Sequence, residues 1–329
     1  MRTSTLGQWL FRRHDAASPP IGGFATVPGG RVHYLMDGPA GPASAVVLLH
    51  GASGNLRDFA VSLVPSLARR HRVIALDRPG FGHSSPIDGS VRLGVQVAAL
   101  RAAVRRLGIT RLHLVGHSYG GAVALAWTLA HGDEVASLTL IGGVAMDWGG
   151  ALSRTYELTV KPMVGPLVTA AAALSPGRYV SRQIGEVFAP APIPEGYRTR
   201  AGVDLARRPA TFRLNARQIT GLHPQIVAMQ PHYPAITCPV SLIHGHEDTI
   251  VPMAVHAEPM SQLLPQARLI ALEGGHMLHH SHTEEVTEVI ERTVAEGMRS
   301  RAADDEGRGG NGRARAEGGS HRPRRTAGG

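Results

Sequence analysis

The sequence predicts an α/β protein: a mostly parallel, doubly wound sheet interrupted by one helical insertion. Three observations carry that expectation. Short apolar runs rich in Val, Leu and Ile end at glycine or at a Pro-Gly turn, stretches with helical apolar spacing alternate with them, and the alternation stops after Gly143 and resumes at Cys238. Strand, helix, strand in succession implies parallel pairing through right-handed crossovers.

Taken in order, residues 45–51 (AVVLLHG) form the first run, with the continuous apolar character of a strand buried on both faces. Residues 71–80 (HRVIALDRPG) repeat the pattern and stop at Pro79 and Gly80. A helix is expected over 92–108, where apolar residues recur at helical spacing up to Gly108. Residues 111–118 (RLHLVGHS) and 135–143 (VASLTLIGG) read as strands, and between them an alanine-rich helix closes at Gly132. Residues 145–234 carry helical patterns broken by prolines and glycines, with no convincing buried strand. Strands resume at 238–248 (CPVSLIHGHED) and 267–276 (ARLIALEGGH), and a last helix runs from Thr283 into Met298. The expected division is a core of 24–144 and 235–298, an insertion of 145–234, an N-terminal extension of 1–23 and a disordered Arg/Gly-rich tail of 299–329.

Composition bounds the possible functions. Of 329 residues, 43% are hydrophobic and 18% charged, an ordinary balance for a soluble globular protein. The first thirty residues lack the continuous apolar stretch of a secretory signal, and no segment has the length and apolarity of a membrane span. Cys238 is the single cysteine, which rules out an intramolecular disulfide and fits a cytoplasmic protein. Part of the net charge of +9 sits in residues 301–329, where seven arginines face four acids among few apolar residues. That segment reads as a solvated extension. Nothing in the body interleaves basic and aromatic residues as a nucleic-acid platform would, so no specific nucleic-acid partner is expected.

Chemistry enters at residues 114–122 (LVGHSYGGA), where G-x-S-x-G spans Gly116, Ser118 and Gly120 between a strand and a helix. Such a turn demands small neighbours and lifts the Ser118 hydroxyl above the carboxyl edge of the sheet, where open α/β sheets bind ligands. It also sets the backbone N–H of Tyr119 at a helix N-terminus, aimed at a developing oxyanion. A serine needs a base, and an imidazole needs a carboxylate to orient it. His276 and Asp248 follow successive strands in the order Ser, Asp, His. Upstream, residues 47–54 (VLLHGASG) place His50 and Gly51 at a strand end, making the N–H of Ala52 the second oxyanion donor. Rivals are His279, His280 and His282 for the base, and Glu247 and Asp147 for the acid. Asp77 and Arg78 read as loop braces. His50, His117 and His244 beside strand-end glycines read as hydrogen-bonding scaffold; no metal-ligand spacing accompanies them, and no cofactor is expected.

Through LLHGASGN, ALDRPGFGHSS, LVGHSYGG, LIHGHEDTIVP and LEGGHMLHH, the sequence resembles the α/β-hydrolase superfamily with a helical cap over residues 24–298. The resemblance implies the α/β-hydrolase fold, Ser118 as nucleophile, His276 as general base and then acid, Asp248 as the orienting acid, and Ala52 and Tyr119 as oxyanion donors. A serine triad performs acyl transfer, with a small or medium carboxylic ester the expected substrate. Residues 163–174 (MVGPLVTAAAAL) predict an apolar lid over the pocket, suited to a largely apolar small molecule. The alternatives are a carbon–carbon bond hydrolase of a vinylogous diketone, a cofactor-free haloperoxidase or perhydrolase, and a hydrolase-shaped binding or accessory protein. Oligomeric state is not legible in the sequence.

Overall fold

A computed structural model of the chain describes residues 16–41, 43–150 and 153–317, with side chains through residue 300. Eight strands form one sheet: β1 (Gly23–Val27), β2 (Gly30–Asp37), β3 (Ser44–Leu49), β4 (Val73–Leu76), β5 (Arg111–His117), β6 (Val135–Ile141), β7 (Val240–Gly245) and β8 (Ala267–Leu272). Their spatial order is β1-β2-β4-β3-β5-β6-β7-β8. The pairs β1–β2 and β2–β4 are antiparallel, and every other pair is parallel. The mostly parallel, helix-covered sheet expected from the sequence is present.

Burial on both faces explains why the central strands read as unbroken apolar runs. Val47 and Leu49 of β3 join one core with Ile74, Leu114 and Leu140, while Val46 and Leu48 join a second with Val73, Val115 and Ile141. Helices seal the two sides. The first core takes the helices α3 (Leu93–Arg106) and α4 (Tyr119–Ala130); α1 (Arg57–Ala60), α2 (Leu63–Leu67) and α13 (Thr283–Glu317) cover the second. Helix α3 buries Leu93, Val97, Leu100 and Val104, one face at helical spacing, and ends where Gly108 adopts φ +76°.

The antiparallel hairpin β1–β2 is an addition to the sequence reading, which starts the sheet at residue 45. β1 alternates, with Ala25 and Val27 buried and Phe24 and Thr26 exposed, and β2 buries only Val32 and His33. A short half-exposed edge hairpin has no continuous apolar run to announce it.

Between β6 and β7 the described residues hold only helical elements: α5 (Arg154–Thr159), α6 (Gly165–Leu174), α7 (Gly177–Phe188), α8 (Tyr197–Arg200), α9 (Pro209–Thr220) and α10 (His223–Met229), with two 3₁₀ turns. Helix α6 packs through its small residues. Gly165, Thr169 and Ala173 are its buried residues, while Met163, Leu167 and Leu174 are exposed. Small residues four apart bring the helix close to its neighbours and leave its large apolar side chains exposed.

Helix α11 (Met253–Leu263) joins β7 to β8, and the short α12 (Leu278–Ser281) precedes α13. Helix α13 continues past residue 299, where the sequence reading places a disordered tail, to Glu317. Residues 298–306 (MRSRAADDE) contain no glycine or proline and favour the helix. Residues 318–329, like 1–15 of the expected N-terminal extension, lie outside the described residues. Among the described residues no helix is long and apolar enough to cross a membrane.

Candidate active site

Ser118 occupies the single residue between β5 and α4, with φ 54° and ψ −121°. A positive φ is strained for a serine and persists only where the surroundings over-determine it. Here they do. The Ser118 N–H donates to the Ile141 carbonyl at 3.0 Å, and its own carbonyl accepts from the N–H groups of Gly121 at 2.9 Å and Val144 at 3.1 Å. The flanking glycines have a steric cause, since a Cβ on Gly120 would strike the Leu49 carbonyl and one on Gly116 would meet the backbone of Gly120 and Gly121.

Asp248 lies three residues beyond β7 and His276 in the loop after β8. Asp248 Oδ1 accepts the N–H groups of Ile250 at 2.9 Å and Val251 at 2.8 Å, leaving Oδ2 to receive His276 Nδ1–H at 2.7 Å. That bond selects the tautomer in which His276 Nε2 keeps its lone pair. Gly142 ties this pair to the serine turn. It follows Ile141, whose carbonyl holds the Ser118 N–H, and a Cβ on it would lie 3.1 Å from Asp248 Oδ2 and 3.2 Å from His276 Nδ1. Ser118, Asp248 and His276 are all buried.

The loop after β3 lies against the same turn, with a Cβ on Gly51 placed 3.0 Å from that of Ser118. Among the described residues neither the N–H of Ala52 nor that of Tyr119 has a hydrogen-bond acceptor. Two groups hold this loop. Arg78, fully buried, donates from Nε to the His50 carbonyl at 3.1 Å and from Nη2 to the Gly51 carbonyl at 3.0 Å. Its Nη1 reaches Gln96 at 3.1 Å and Gln218 of α9 at 2.6 Å, and its guanidinium lies 4.3 Å from the Phe81 and Tyr119 rings. Burial draws the Arg78 pKa down to about 10, and burial together with the Arg78 charge brings His50 to about 3, so the imidazole stays neutral. From the helical side, Asn215 accepts the Ser53 N–H and donates to Ser53 Oγ, both at 2.9 Å.

The rival carboxylates have other partners. Asp147 is at the surface, its side chain 51% exposed, and receives His223 Nε2 at 2.6 Å and the Gly149 N–H at 2.8 Å. Glu247 accepts the Gly274 N–H at 3.0 Å. Asp77 is a brace: Oδ1 accepts the Leu56 N–H at 2.7 Å, and Oδ2 takes the His83 N–H at 2.8 Å and His33 Nδ1 at 2.6 Å. His50, His117 and His244 each bond backbone: His50 Nδ1 to the Gly51 carbonyl, His117 Nε2 to that of His276, and His244 Nε2 to that of Val251.

Of the rival histidines, His282 stands at the surface beside Ser281, whereas His279 and His280 turn inward onto Asp58. The sequence reading missed Asp58; two adjacent histidines three residues past His276 were the available signal. Asp58, His279 and His280 are also the one metal-type donor set among the described residues, with ligand atoms within 4.8 Å of one another. Each imidazole Nε2 addresses a different carboxylate oxygen at 2.8 Å, the arrangement of two N–H donors on one acceptor. His279 Nδ1 is buried without a partner, whereas a metal-bound histidine almost always anchors its second nitrogen. The set fits a hydrogen-bonded carboxylate better than a metal centre.

The chain is 28% identical over 287 residues to an uncharacterised protein of Mycobacterium tuberculosis, covering 84% of this chain and 81% of that one. It is 25% identical over 253 residues to the 2-hydroxy-6-oxononadienedioate/2-hydroxy-6-oxononatrienedioate hydrolase of a Pseudomonas species, covering 74% and 86%. A thermophilic esterase from Thermogutta terrifontis superposes with a TM-score of 0.68 at 21% identity, over 84% of this chain and 98% of the esterase. The alpha/beta hydrolase fold family model matches residues 44–283, and the chain belongs to that family.

Proposed function

We propose that the chain is a serine hydrolase that cleaves a small or medium carboxylic ester through an acyl-enzyme, with residues 145–234 as a cap over the site. Ser118 is the nucleophile, His276 the general base and then acid, and Asp248 the orienting acid. The observation that carries this reading is the His276–Asp248 bond of 2.7 Å, set at the end of the sheet where Ser118 stands in its strained turn. Ser118 Oγ attacks the ester carbonyl carbon as its proton passes to His276 Nε2, and the N–H groups of Ala52 and Tyr119 receive the oxyanion. Collapse expels the alkoxide, which takes the proton from His276. Water then adds to the acyl-enzyme by the same route, releasing the acid and restoring Ser118. Each step runs on residues of this chain and calls for no cofactor.

A second reading, cleavage of a carbon–carbon bond in a vinylogous diketone, uses the same three side chains and is favoured by the name of the Pseudomonas relative. Labelling with a fluorophosphonate, peptide mapping and turnover of a p-nitrophenyl acyl series separate these readings. The expected result is label on Ser118, ester turnover, and a kcat reduced about 10⁴-fold or more in Ser118→Ala. Label without ester turnover would favour the carbon–carbon reading. A folded protein that neither labels nor turns over ester would overturn the serine mechanism in favour of a binding protein.

A further inference from the structure

Asp58 lies in α1, just beyond the loop that carries Ala52, and is 5% exposed. Its Oδ1 accepts Tyr197 Oη–H at 2.7 Å and His280 Nε2–H at 2.8 Å, and its Oδ2 accepts His279 Nε2–H at 2.8 Å. Burial alone would raise the carboxyl, but the two histidines outweigh it and hold Asp58 well below the usual range, as a carboxylate. Three donors from two distant segments thus converge on one buried charge. Tyr197 belongs to α8 of the cap, while His279 and His280 belong to α12, directly after the His276 loop.

The His279 ring lies 4.3 Å from that of His117, and the His117 ring 4.8 Å from that of His276. His117 precedes Ser118 in the chain and donates Nε2–H to the His276 backbone carbonyl at 3.2 Å. One imidazole therefore joins the nucleophile turn to the base loop. The Nδ1 atoms of His117 and His279 are buried without partners, so a single hydrogen bond and the ring contacts set the orientation of each. For His279 that bond is the one to Asp58.

We propose that Asp58 is a positioning residue for the reaction: through His279 and His117 it fixes the loop that carries His276, and through Tyr197 it links that placement to the seating of the cap. The inference rests on the reading of His276 as the base. No atom of Asp58 is required to touch substrate; its effect passes through the two imidazoles.

The test uses the full chain, p-nitrophenyl butyrate as probe, and thermal melting to confirm folding. Asp58→Asn and His117→Phe are each expected to lower kcat about tenfold with KM within about twofold, the signature of a lost transition-state interaction. The double variant should be no slower than the worse single, because both remove the same link, whereas unrelated lesions multiply. His117→Gln, which keeps an N–H donor near the His276 carbonyl, should recover most of the rate, and Tyr197→Phe should add nothing to Asp58→Asn. A folded Asp58→Asn with wild-type kcat, or multiplicative losses in the double variant, would overturn the proposal. Should Asp58→Asn fail to fold, equal rates for His117→Phe and His117→Gln would overturn it. Fluorophosphonate labelling of the wild type separates the two levels: no label on Ser118 removes the serine mechanism and this role with it, while a labelled wild type beside an unaffected Asp58→Asn removes the role alone.

Discussion

At Asp248 every lone pair that matters is spoken for: two backbone N–H groups fix one carboxylate oxygen, and the other meets His276 at 2.7 Å. Asp147, the rival on sequence, spends its charge on His223 at the surface. Asp248→Asn is expected to lower kcat about 10³- to 10⁴-fold, because an amide no longer fixes the tautomer or stabilises the imidazolium. Asp147→Asn should leave kcat within about twofold, as befits a surface change far from special features. Steady-state hydrolysis of one ester by both variants decides the matter, and equal losses would show that the acid is misassigned. Ser118 was legible from its neighbours alone, since the close approach of Gly116 and Gly120 to backbone leaves no room for a side chain. Asp58 was not, because nothing local in α1 marks a residue whose partners lie more than 130 positions away.

Among the elements, the loop after β3 shows how a buried cation can hold the backbone beside the Ser118 turn. Arg78 exchanges water for the carbonyls of His50 and Gly51 and the amides of Gln96 and Gln218. Arg78→Met keeps much of the volume but strands those acceptors. Leaving them unpaired is expected to cost about 2–4 kcal/mol of stability, read as a lowered denaturation midpoint, with kcat falling alongside as the Ala52 N–H loses its aim. An unchanged midpoint would mean that the loop is held by Asn215 instead. The strands β3 to β7 were readable because both faces are buried, and the partly buried β8 by its apolar run, whereas β1 alternates at an edge and β2 buries only Val32 and His33. In α6 the apolar count of 163–174 did not show which residues pack: the small stripe of Gly165, Thr169 and Ala173 is buried.

Over the whole molecule, stability should follow the histidines. Burial lowers His50 to about 3, and His113 and His256 to about 4, from 6.5. The unfolded chain therefore takes up protons between pH 6.5 and about 4 that the native state refuses. Stability from these groups is full above the unfolded value and is lost as pH falls through that window. The melting temperature should drop between pH 7.5 and pH 4.5, and His113→Gln should flatten the slope. A melting temperature that rises on acidification would contradict the neutral assignment of these imidazoles.

The sequence by itself determined the parallel core, the position of the helical segment between β6 and β7, and the strained serine turn, because each rests on local chemistry: apolar continuity, proline and glycine punctuation, and small residues at fixed spacing. It also placed Asp248 and His276 after successive strands. Only the tertiary structure decided which carboxylate meets which imidazole, that Arg78 and Asn215 clamp the loop of Ala52, that α6 buries its small residues and exposes Leu167 and Leu174, and that His117, His279 and Asp58 join the loop of His276 to α8. Those relations depend on chain segments remote in sequence and brought together by crossovers and packing, and no window of residues carries that information.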